Sequence, residues 1–404
     1  MKEKKILFVS YFFPPVQTAA GTMVFNYVKY LHYFNWSATV LCAKKAIGES
    51  VFTSFAVPKN VSIKRTFSSG NILIHILQKL KFLSYTYNRI GWAPFAIRAA
   101  KKILKKDNPS VIISRSTPIV SHLVALKLKE SSKLPWIACF SDPWTQSSYY
   151  ASRNKIIKKI DEYLEKKVML AADKIVVTTE QTKRLFLEKY KIENKIIVIP
   201  NSYDSSEFSE KIDENKENKF TITHAGNFYG PRSPEPFFRA LKVLNDEMDI
   251  DKNFKVRLIG KVRSIKNLVL KYKFGDFVQL IDTLPRKDVF SHLFGSDVLL
   301  LIDAPSAKES VFLPSKLIEY INMAKPILAV VPEGASADVV RATKTGVVVA
   351  PDDAEGIKNA IKSYYELYKN SKLEINPNWE EIKKYDAKNC TGALIRIIEE
   401  LVQH

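Results

Sequence analysis

Short apolar runs of strand length alternate with helical stretches along almost the whole chain. The alternation begins with a buried-strand run at Lys5–Val9, a loop at residues 10–21, an amphipathic stretch and a second strand-like run at residues 37–42. Strands separated by helices pair in parallel, because each helix carries the chain back to the starting edge of the sheet. The pattern predicts an α/β fold in which helices cover both faces of parallel sheets.

The alternation is interrupted once. Residues 201–219 are polar and acidic and lack a periodic apolar pattern, and the alternation restarts at Phe220. We therefore predict two doubly wound, Rossmann-like domains at residues 1–200 and 220–375, joined by a linker at 201–219. Residues 376–404 follow the last predicted strand and are typical of a pair of amphipathic helices.

Composition narrows the class of protein. The chain has 404 residues, of which 46% are hydrophobic and 26% charged, which excludes a disordered or disulfide-scaffold protein. No apolar run reaches the roughly 18–20 residues of a membrane span, and the N-terminus lacks a signal-peptide pattern, so we expect a cytoplasmic protein. The three cysteines have no metal-ligand spacing and are expected to be reduced.

The positive charge is confined to the first half of the chain. Residues 1–200 contain 33 Lys and Arg against 12 Asp and Glu, whereas residues 201–404 contain 29 against 30. Residues 51–106 hold 11 basic residues and no acidic one. The first half is therefore expected to face an anionic partner, either nucleic acid or a membrane. Nucleic acid is disfavoured, because the basic residues are spread over several helices without a recognition motif.

The loop after the first strand is the first candidate site. Ligands of open α/β sheets bind beyond the carboxyl ends of the strands, and Gly21 at a helix start permits close approach of an anion to backbone N–H groups. A plain turn residue is the alternative interpretation of Gly21. No G-x-G-x-x-G follows a strand and no Walker A sequence is present, which disfavours dehydrogenases and excludes P-loop NTPases.

Two later segments also suit an anionic ligand. His224-Ala-Gly226-Asn follows a strand and is succeeded by Arg232 before the next helix. The run Pro314-Ser315-Lys316 starts a helix, with Pro314 predicted in the first turn, so N–H groups, a hydroxyl and an ammonium converge on one anion. Glu319 lies one turn later on the same face and can accept hydrogen bonds from a sugar diol. An exposed Lys/Glu helix face is the alternative interpretation.

Taken in order, the motifs resemble the GT-B glycosyltransferases of glycosyltransferase family 4, which assemble bacterial surface polysaccharides. The resemblance covers nearly the whole length. The matching segments are Tyr11-Phe-Phe-Pro-Pro…Ala-Gly21, Ser141-Asp142-Pro143-Trp144, Ala172-Asp173, Val198-Ile-Pro200-Asn201, His224-Ala-Gly226-Asn…Arg232 and Pro314-Ser315-Lys316-Leu317…Glu319-Tyr320.

The resemblance implies two domains facing a cleft, with the C-terminal helix pair crossing back to the first domain. It implies a nucleotide-sugar donor, UDP-linked, held mostly by the second domain. Ser315, Lys316 and Arg232 would face the diphosphate and Glu319 the ribose. The other donor contacts implied are Gly21, Gly226, Lys261, Thr283, Leu284, Pro314 and Leu317.

The chain also departs from the family pattern. Val311 stands where the family has the first glutamate of its E-x7-E motif, which removes a contact to the sugar hydroxyls. The family's paired glycine is Ala20-Gly21 here. The loop after the fourth strand carries Arg115 and Ser116 where many members have a histidine, and His122 is expected to be a helix residue rather than a catalytic one.

The resemblance further implies retaining transfer of a hexosyl or N-acetylhexosaminyl group to a lipid-linked or polysaccharide acceptor. Arg232 and Lys316 would stabilise the departing diphosphate, so neither a cofactor nor a metal is expected. Asp142 either orients the acceptor hydroxyl or caps its own loop. The alternatives are a GT-B-like nucleotide-sugar epimerase and a non-catalytic nucleotide-sugar-binding relative, the latter favoured by Val311.

Overall fold

The computed structural model describes residues 4–16, 18–44, 56–69, 89–147, 155–208, 214–248 and 250–403. The chain divides into two compact units. The first comprises Met1–Ser202 together with Ala387–His404, and the second comprises Tyr203–Asp386.

In its described residues the first unit is a parallel sheet between helices. Its strands are β1 (Lys5–Val9), β2 (Ser37–Ala43), β3 (Val61–Thr66), β4 (Val111–Arg115), β5 (Trp136–Phe140), β6 (Lys174–Val177) and β7 (Ile196–Val198). Its helices are α1 (Ala19–Tyr30), α2 (Ala93–Asp107), α3 (Val120–Ser132), α4 (Lys155–Ala171), α5 (Glu180–Tyr190) and, at the chain end, α13 (Ala387–Val402). The strand order β3-β2-β1-β4-β5-β6-β7 reverses between β1 and β4.

The second unit repeats this plan. Its strands are β8 (Phe220–Ala225), β9 (Phe254–Ile259), β10 (Val278–Ile281), β11 (Val298–Ile302), β12 (Ile327–Val330) and β13 (Gly346–Val349). Its helices are α6 (Glu235–Met248), α7 (Lys266–Tyr272), α8 (Arg286–Phe294), α9 (Ser315–Ile321), α10 (Ala335–Thr343), α11 (Ala354–Lys369) and the single turn α12 (Trp379–Ile382). The order β10-β9-β8-β11-β12-β13 reverses between β8 and β11.

Both sheets are parallel, as the alternation predicts. Strands such as β4, β5 and β11 are buried at every position, because helices cover both faces of the sheet. The edge strand β3 was not predicted from the sequence. It alternates buried and exposed residues and carries Lys64 and Arg65, so its apolar signal is weak.

The segment predicted as a linker has structure of its own in its described residues. Tyr203 and Phe208 pack with Phe290 in the apolar core of the second unit. Further along, the backbone carbonyl of Asn215 accepts a hydrogen bond from the buried Arg257 of β9 at 3.0 Å. Although its composition is polar, this segment belongs to the second unit from Tyr203 onward.

The two C-terminal helices belong to different units. The short helix α12 stays with the second unit, where Ile382 is fully buried in its core. Helix α13 belongs to the first unit, and its apolar face (Cys390, Leu394, Ile398) packs in one cluster with Val24 and Val28 of α1. The predicted return to the first domain is thus made by α13 alone.

Within the described residues, every helix is too short or too polar to cross a bilayer.

Candidate functional site

The polar residues of the second unit gather where its strand order reverses. Strands β8 and β11 are neighbours, yet the connections from their carboxyl ends lead to opposite sides of the sheet, which opens a crevice between the two loops. The loop after β8 supplies Gly226 and Arg232, and the loop after β11 leads to α9 with Lys316 and Glu319. The structure therefore brings four predicted site residues to one edge of one sheet.

Lys316 lies half-buried at the start of α9. The helix begins at Ser315, with Pro314 as its N-cap residue rather than in the first turn as predicted. Lys316 Nζ lies 3.1 Å from Nε2 of His224 at the end of β8. Gly226 makes room for the lysine, because a Cβ at this position would lie 2.8 Å from Nζ. The backbone φ of +146° at Gly226 also favours glycine.

The tautomer of His224 follows from its two partners. Nδ1 lies 2.9 Å from the carbonyl oxygen of Leu300, which can only accept, so Nδ1 carries the proton and Nε2 accepts from Lys316. Burial, and then the charge of Lys316, holds the pKa of His224 well below its usual value. Burial, followed by the charge of Arg232, lowers the pKa of Lys316 to about 7 although Asp303 raises it.

Arg232 is already paired. Its Nε and Nη2 donate to Oδ1 of Asp303 at 3.1 and 2.7 Å, and both side chains are buried. The guanidinium also lies 4.9 Å from the ring centroid of Tyr229. Sequence reasoning missed Asp303, although its position directly after the buried strand β11 was an available signal. The pair presents a fixed cation whose charge is partly compensated before any ligand binds.

Glu319 belongs to a three-residue ion cluster. Nη2 of Arg286, the first residue of α8, donates to Glu319 at 2.9 Å and to Glu207 at 2.7 Å. Burial disfavours the charge of Arg286, but Glu319 and Glu207 outweigh burial and raise its pKa. Neither Arg286 nor Glu207 was identified from the sequence, because Glu207 lies in the segment predicted as a linker. The carboxylate of Glu319 is consequently held in place.

Leu317 and Tyr320 anchor α9 to the sheet. Leu317 is fully buried in the core, so the structure gives it a packing position. The hydroxyl of Tyr320 accepts a hydrogen bond at 2.9 Å from the backbone N–H of Ala225, the last residue of β8. Because Ala225 precedes Gly226, this contact fixes the start of α9 relative to the Gly226 loop.

The remaining donor-binding candidates of the second unit lie at the ends of β9 and β10. Lys261 is exposed, and its backbone N–H donates to Oδ1 of Asn227 at 2.8 Å. Thr283 is exposed and Leu284 is half-buried, both directly before α8. Gly260 permits the β8 and β9 loops to approach, since a Cβ there would lie 2.7 Å from the Gly226 carbonyl oxygen.

In the first unit, Gly21 serves packing. It is the third residue of α1, and its N–H donates to the N-cap hydroxyl of Thr18 at 3.1 Å. A Cβ at Gly21 would lie 3.3 Å from the backbone of Phe13. The amide of Gly21 is therefore already satisfied, and its predicted contact with a donor would need neighbouring amides.

Asp142 lies half-buried in the loop after β5, directly before Pro143 and the buried Trp144. Ser141 holds this loop by donating to the carbonyl oxygen of Ser116 at 2.6 Å. The loops after β4 and β5 thus meet at the carboxyl edge of the first sheet.

His122 is a buried residue of α3, as expected. Its Nδ1 lies 2.7 Å from Oγ of Ser114, which also accepts from Nε1 of Trp136 at 2.8 Å. Burial, and then Arg115, lowers the pKa of His122 to about 3. Arg115 is buried too, and its Nη2 donates to Oδ1 of Asn201 at 2.9 Å.

Over the described part of the chain, no cluster of three His, Cys, Asp or Glu side chains is arranged to hold a metal ion. The chain contains the Asp-x-Asp sequence Asp249-Ile-Asp251. Asp251 lies exposed in a 3-10 turn, and Asp249 falls outside the described residues.

Two Rossmann-like sheets with these strand orders form the GT-B fold. Residues 20–207 match the family model described as Glycosyltransferase Family 4, and residues 204–377 match that described as Glycosyl transferases group 1. The chain belongs to the GT-B glycosyltransferases of family 4 type.

Individual relatives are distant. An uncharacterized glycosyltransferase of Haemophilus influenzae is 26% identical over 187 residues, which are 46% of this chain and 49% of that protein, so the match spans about half of the curated relative. Sucrose-phosphate synthase of Thermosynechococcus elongatus superposes with a TM-score of 0.70 at 16% identity, over 98% of this chain and 99% of that one. Anabaena HepE in complex with UDP-glucose gives 0.68 at 11% identity, with coverage of 98% and 99%. At these identities the structural likeness shows the fold.

Proposed function

We propose that this glycosyltransferase is a retaining enzyme that transfers a hexosyl or N-acetylhexosaminyl group from a UDP-sugar to a lipid-linked or polysaccharide acceptor. The observation that carries the proposal is the pair of basic side chains at the switch point of the second unit, the buried Arg232 and the half-buried Lys316. Crevices at this position bind nucleotides in doubly wound sheets, and a diphosphate is the dianionic group that two cations suit.

The donor is expected to lie along the carboxyl edge of the second sheet. Lys316 and Arg232 face its diphosphate, with Ser315 at the helix start beside them. Glu319, oriented by Arg286, accepts from the ribose hydroxyls. Thr283 and Leu284 precede α8 and flank the base. The complex of Anabaena HepE with UDP-glucose supports a UDP-linked donor, since that structure shares this fold.

The chemistry follows from charge that builds on the leaving group. As the bond from the anomeric carbon to the diphosphate breaks, negative charge grows on the phosphate oxygens, and cations fixed beforehand stabilise that state most. Arg232 and Lys316 can supply this stabilisation, so we propose that no divalent metal is needed. In the first unit Asp142 orients the acceptor hydroxyl for attack on the face from which the diphosphate leaves.

We propose further that an anionic membrane surface receives the first unit. The exposed face of α2 carries Arg98, Lys101, Lys102, Lys105 and Lys106, and no described carboxylate pairs with them. Phe95 of α2 and Phe67 are exposed and contact each other edge to face. Basic and aromatic side chains together suit the headgroup region of a bilayer. Residues 70–88, which the same prediction included, lie outside the described residues.

Helix α4 has a second exposed face that suits a bilayer surface. Helix α4 presents Ile156, Ile160, Tyr163 and Leu170 to solvent on one side, and Ile156 is 69% exposed. Lys155, Lys159 and Lys166 are exposed on the same helix. Each Lys or Arg near an anionic surface contributes about 1 kcal/mol, so a few of them suffice for recruitment.

The donor proposal is tested by incubating the protein with UDP-, GDP- and CMP-sugars and measuring nucleotide release. UDP release from one or a few UDP-sugars is expected, without added metal and in excess chelator. Conversion of a UDP-sugar into its epimer without UDP release would show the epimerase instead. Binding of a UDP-sugar without any conversion would show the non-catalytic relative.

The membrane proposal is tested with liposomes that contain anionic lipid. The protein should pellet with them at low salt and be released as salt screens the charges. Reversal of Lys101, Lys102, Lys105 and Lys106 to Glu should abolish pelleting and leave UDP release unchanged. Wild-type protein that stays in the supernatant at low salt would contradict the proposal.

A further inference from the structure

The buried His224 lies within hydrogen-bond distance of the half-buried Lys316, and the proposed mechanism gives this histidine no role. The imidazole cannot turn freely, because Nδ1 donates to the Leu300 carbonyl and the ring stacks on Phe228 with centroids 4.7 Å apart. The lone pair of Nε2 is thereby aimed at Lys316 Nζ, 3.1 Å away. A neutral acceptor is a partner for an uncharged amine as well as for an ammonium ion.

The charged groups around Lys316 do not compensate an ammonium ion. Arg232, from the loop after β8, is a like charge. Asp303, from the loop after β11, is the opposing carboxylate, but its Oδ1 already accepts from Arg232 and from the backbone N–H of Ala304. Among the described residues, no carboxylate forms an ion pair with Lys316. The pKa of about 7 agrees with this geometry, so near neutral pH a substantial share of the protein holds the amine uncharged.

We propose that His224 is the positioning residue for Lys316, and that the amine takes up a proton when the donor diphosphate binds. The inference rests on the proposed function, since it names how that donor site acquires its charge. A diphosphate beside Nζ supplies the negative charge that the empty site lacks, which favours the ammonium form. His224 keeps Nζ in place in either protonation state.

Calorimetry of UDP binding in buffers of different ionisation enthalpy measures this proton directly. Because pH 8 lies above the pKa of the amine in the free protein, proton uptake should approach one proton per UDP bound at that pH. Above pH 7 the Kd for UDP should rise up to about ten-fold per pH unit as the amine in the free protein loses its proton. UDP serves as the probe because its phosphates are almost fully ionised at pH 8.

Lys316→Arg is the matched control. A guanidinium keeps the charge and does not titrate in this range, so proton uptake should vanish and the Kd should stay level from pH 7 to 9. His224→Leu removes the acceptor and should weaken UDP binding about ten-fold, whereas His224→Gln, whose amide oxygen can still accept, should recover most of the loss. A purely structural histidine would lower the melting temperature in both variants without separating their affinities.

The outcomes are distinguishable. UDP binding without proton uptake at pH 8, or an unchanged slope of Kd against pH in Lys316→Arg, overturns the inference and leaves the proposed function intact. Equal UDP affinity of wild type and His224→Leu overturns the positioning role. Absence of UDP binding to wild type at every pH overturns the inference together with the proposed function.

Discussion

Each unit buries a histidine beside the point where its strand order reverses, and the two side chains have opposite surroundings. His122 in the first unit contacts Ser114 through Nδ1, and over the described residues its Nε2 has no hydrogen-bond partner. His224 in the second unit uses both ring nitrogens, one on a backbone carbonyl and one on Lys316. The same kind of sheet therefore buries a histidine in both units. His122 lies in a packed core, whereas His224 lies against Lys316.

The buried arginines differ in the same way. Arg232 donates twice to a carboxylate, whereas Arg115 donates to the amide oxygen of Asn201. In the second unit, Asp303 compensates part of the charge of Arg232, and the remaining positive charge faces the crevice between the loops after β8 and β11. A shared strand order therefore fixes where polar groups are buried, while the partners of each group decide what the site can bind.

The largest effect is expected from breaking the Arg232–Asp303 pair. Arg232→Met leaves a buried carboxylate without its cation and should destabilise the second unit by about 3–5 kcal/mol. The double variant Arg232→Met/Asp303→Leu should recover most of this loss. Arg115→Met, which strands no carboxylate, should cost only about 1–2 kcal/mol. Urea unfolding followed by hydrogen exchange in each unit measures the difference, and equal losses for the two arginines would erase the contrast.

Acid should weaken both units through their histidines. The folded-state pKa of each lies below the unfolded value of 6.5, so the unfolded chain binds more protons below pH 6.5 and stability falls with falling pH. Each histidine should cost about 1.4 kcal/mol per pH unit, and for His122 the loss continues to about pH 3. Thermal unfolding between pH 7 and 4.5 measures the slope. His122→Leu should make it shallower, and an unchanged slope would show that other groups dominate.

Lys316→Ala should weaken UDP binding by about ten- to a hundred-fold, since a charge-assisted contact contributes roughly 1.5–3 kcal/mol. Lys261 provides the matched comparison, because it is an exposed lysine at the neighbouring strand end. Lys261→Ala should cost only a few-fold, and that loss should shrink in salt. Titration calorimetry at pH 6.5 measures both, and a larger loss at Lys261 would move the diphosphate to the β9 loop.

The smallest effect concerns the two glutamates that share Arg286. Glu207 is more exposed than Glu319, so Glu207→Gln should change the donor KM by less than about three-fold. Glu319→Gln should raise the KM about ten-fold if Glu319 contacts the ribose. Steady-state kinetics with the best UDP-sugar gives both values. Equal effects would mean that the ion cluster as a whole, rather than Glu319, binds the donor.

Local sequence patterns predicted the sheets because buried parallel strands are continuous apolar runs. The runs at Lys5–Val9, Trp136–Phe140 and Val298–Ile302 are strands with these bounds. The strand β3 was not predicted, because an edge strand needs only one buried face and therefore lacks a continuous apolar run. Local patterns also bring Lys316 and Glu319 to one short helix, since their spacing is a property of the helix itself.

Contacts between side chains that are distant in the sequence could not be predicted from local patterns. Asp303 meets Arg232 across 71 positions, and Glu207 meets Arg286 across 79, so no periodicity links either pair. His224 was noted as the start of a motif, but its contact with Lys316 depends on the packing of α9 against β8. Gly21 shows the same limit, because a glycine at a helix start suggests an open amide, whereas the N–H of Gly21 donates to the hydroxyl of Thr18.

The separation of α12 from α13 has a consequence for the order in which the molecule is made. A ribosome that synthesises this chain releases the whole of Tyr203–Asp386 before the residues of α13 emerge. Until then the apolar side of α1, including Val24 and Val28, lacks the helix that covers it. Domains usually fold as they leave the ribosome, N-terminal first. Here the unit that begins first is completed only when α13 emerges, so until then a nascent chain exposes a patch of its first unit to chaperones.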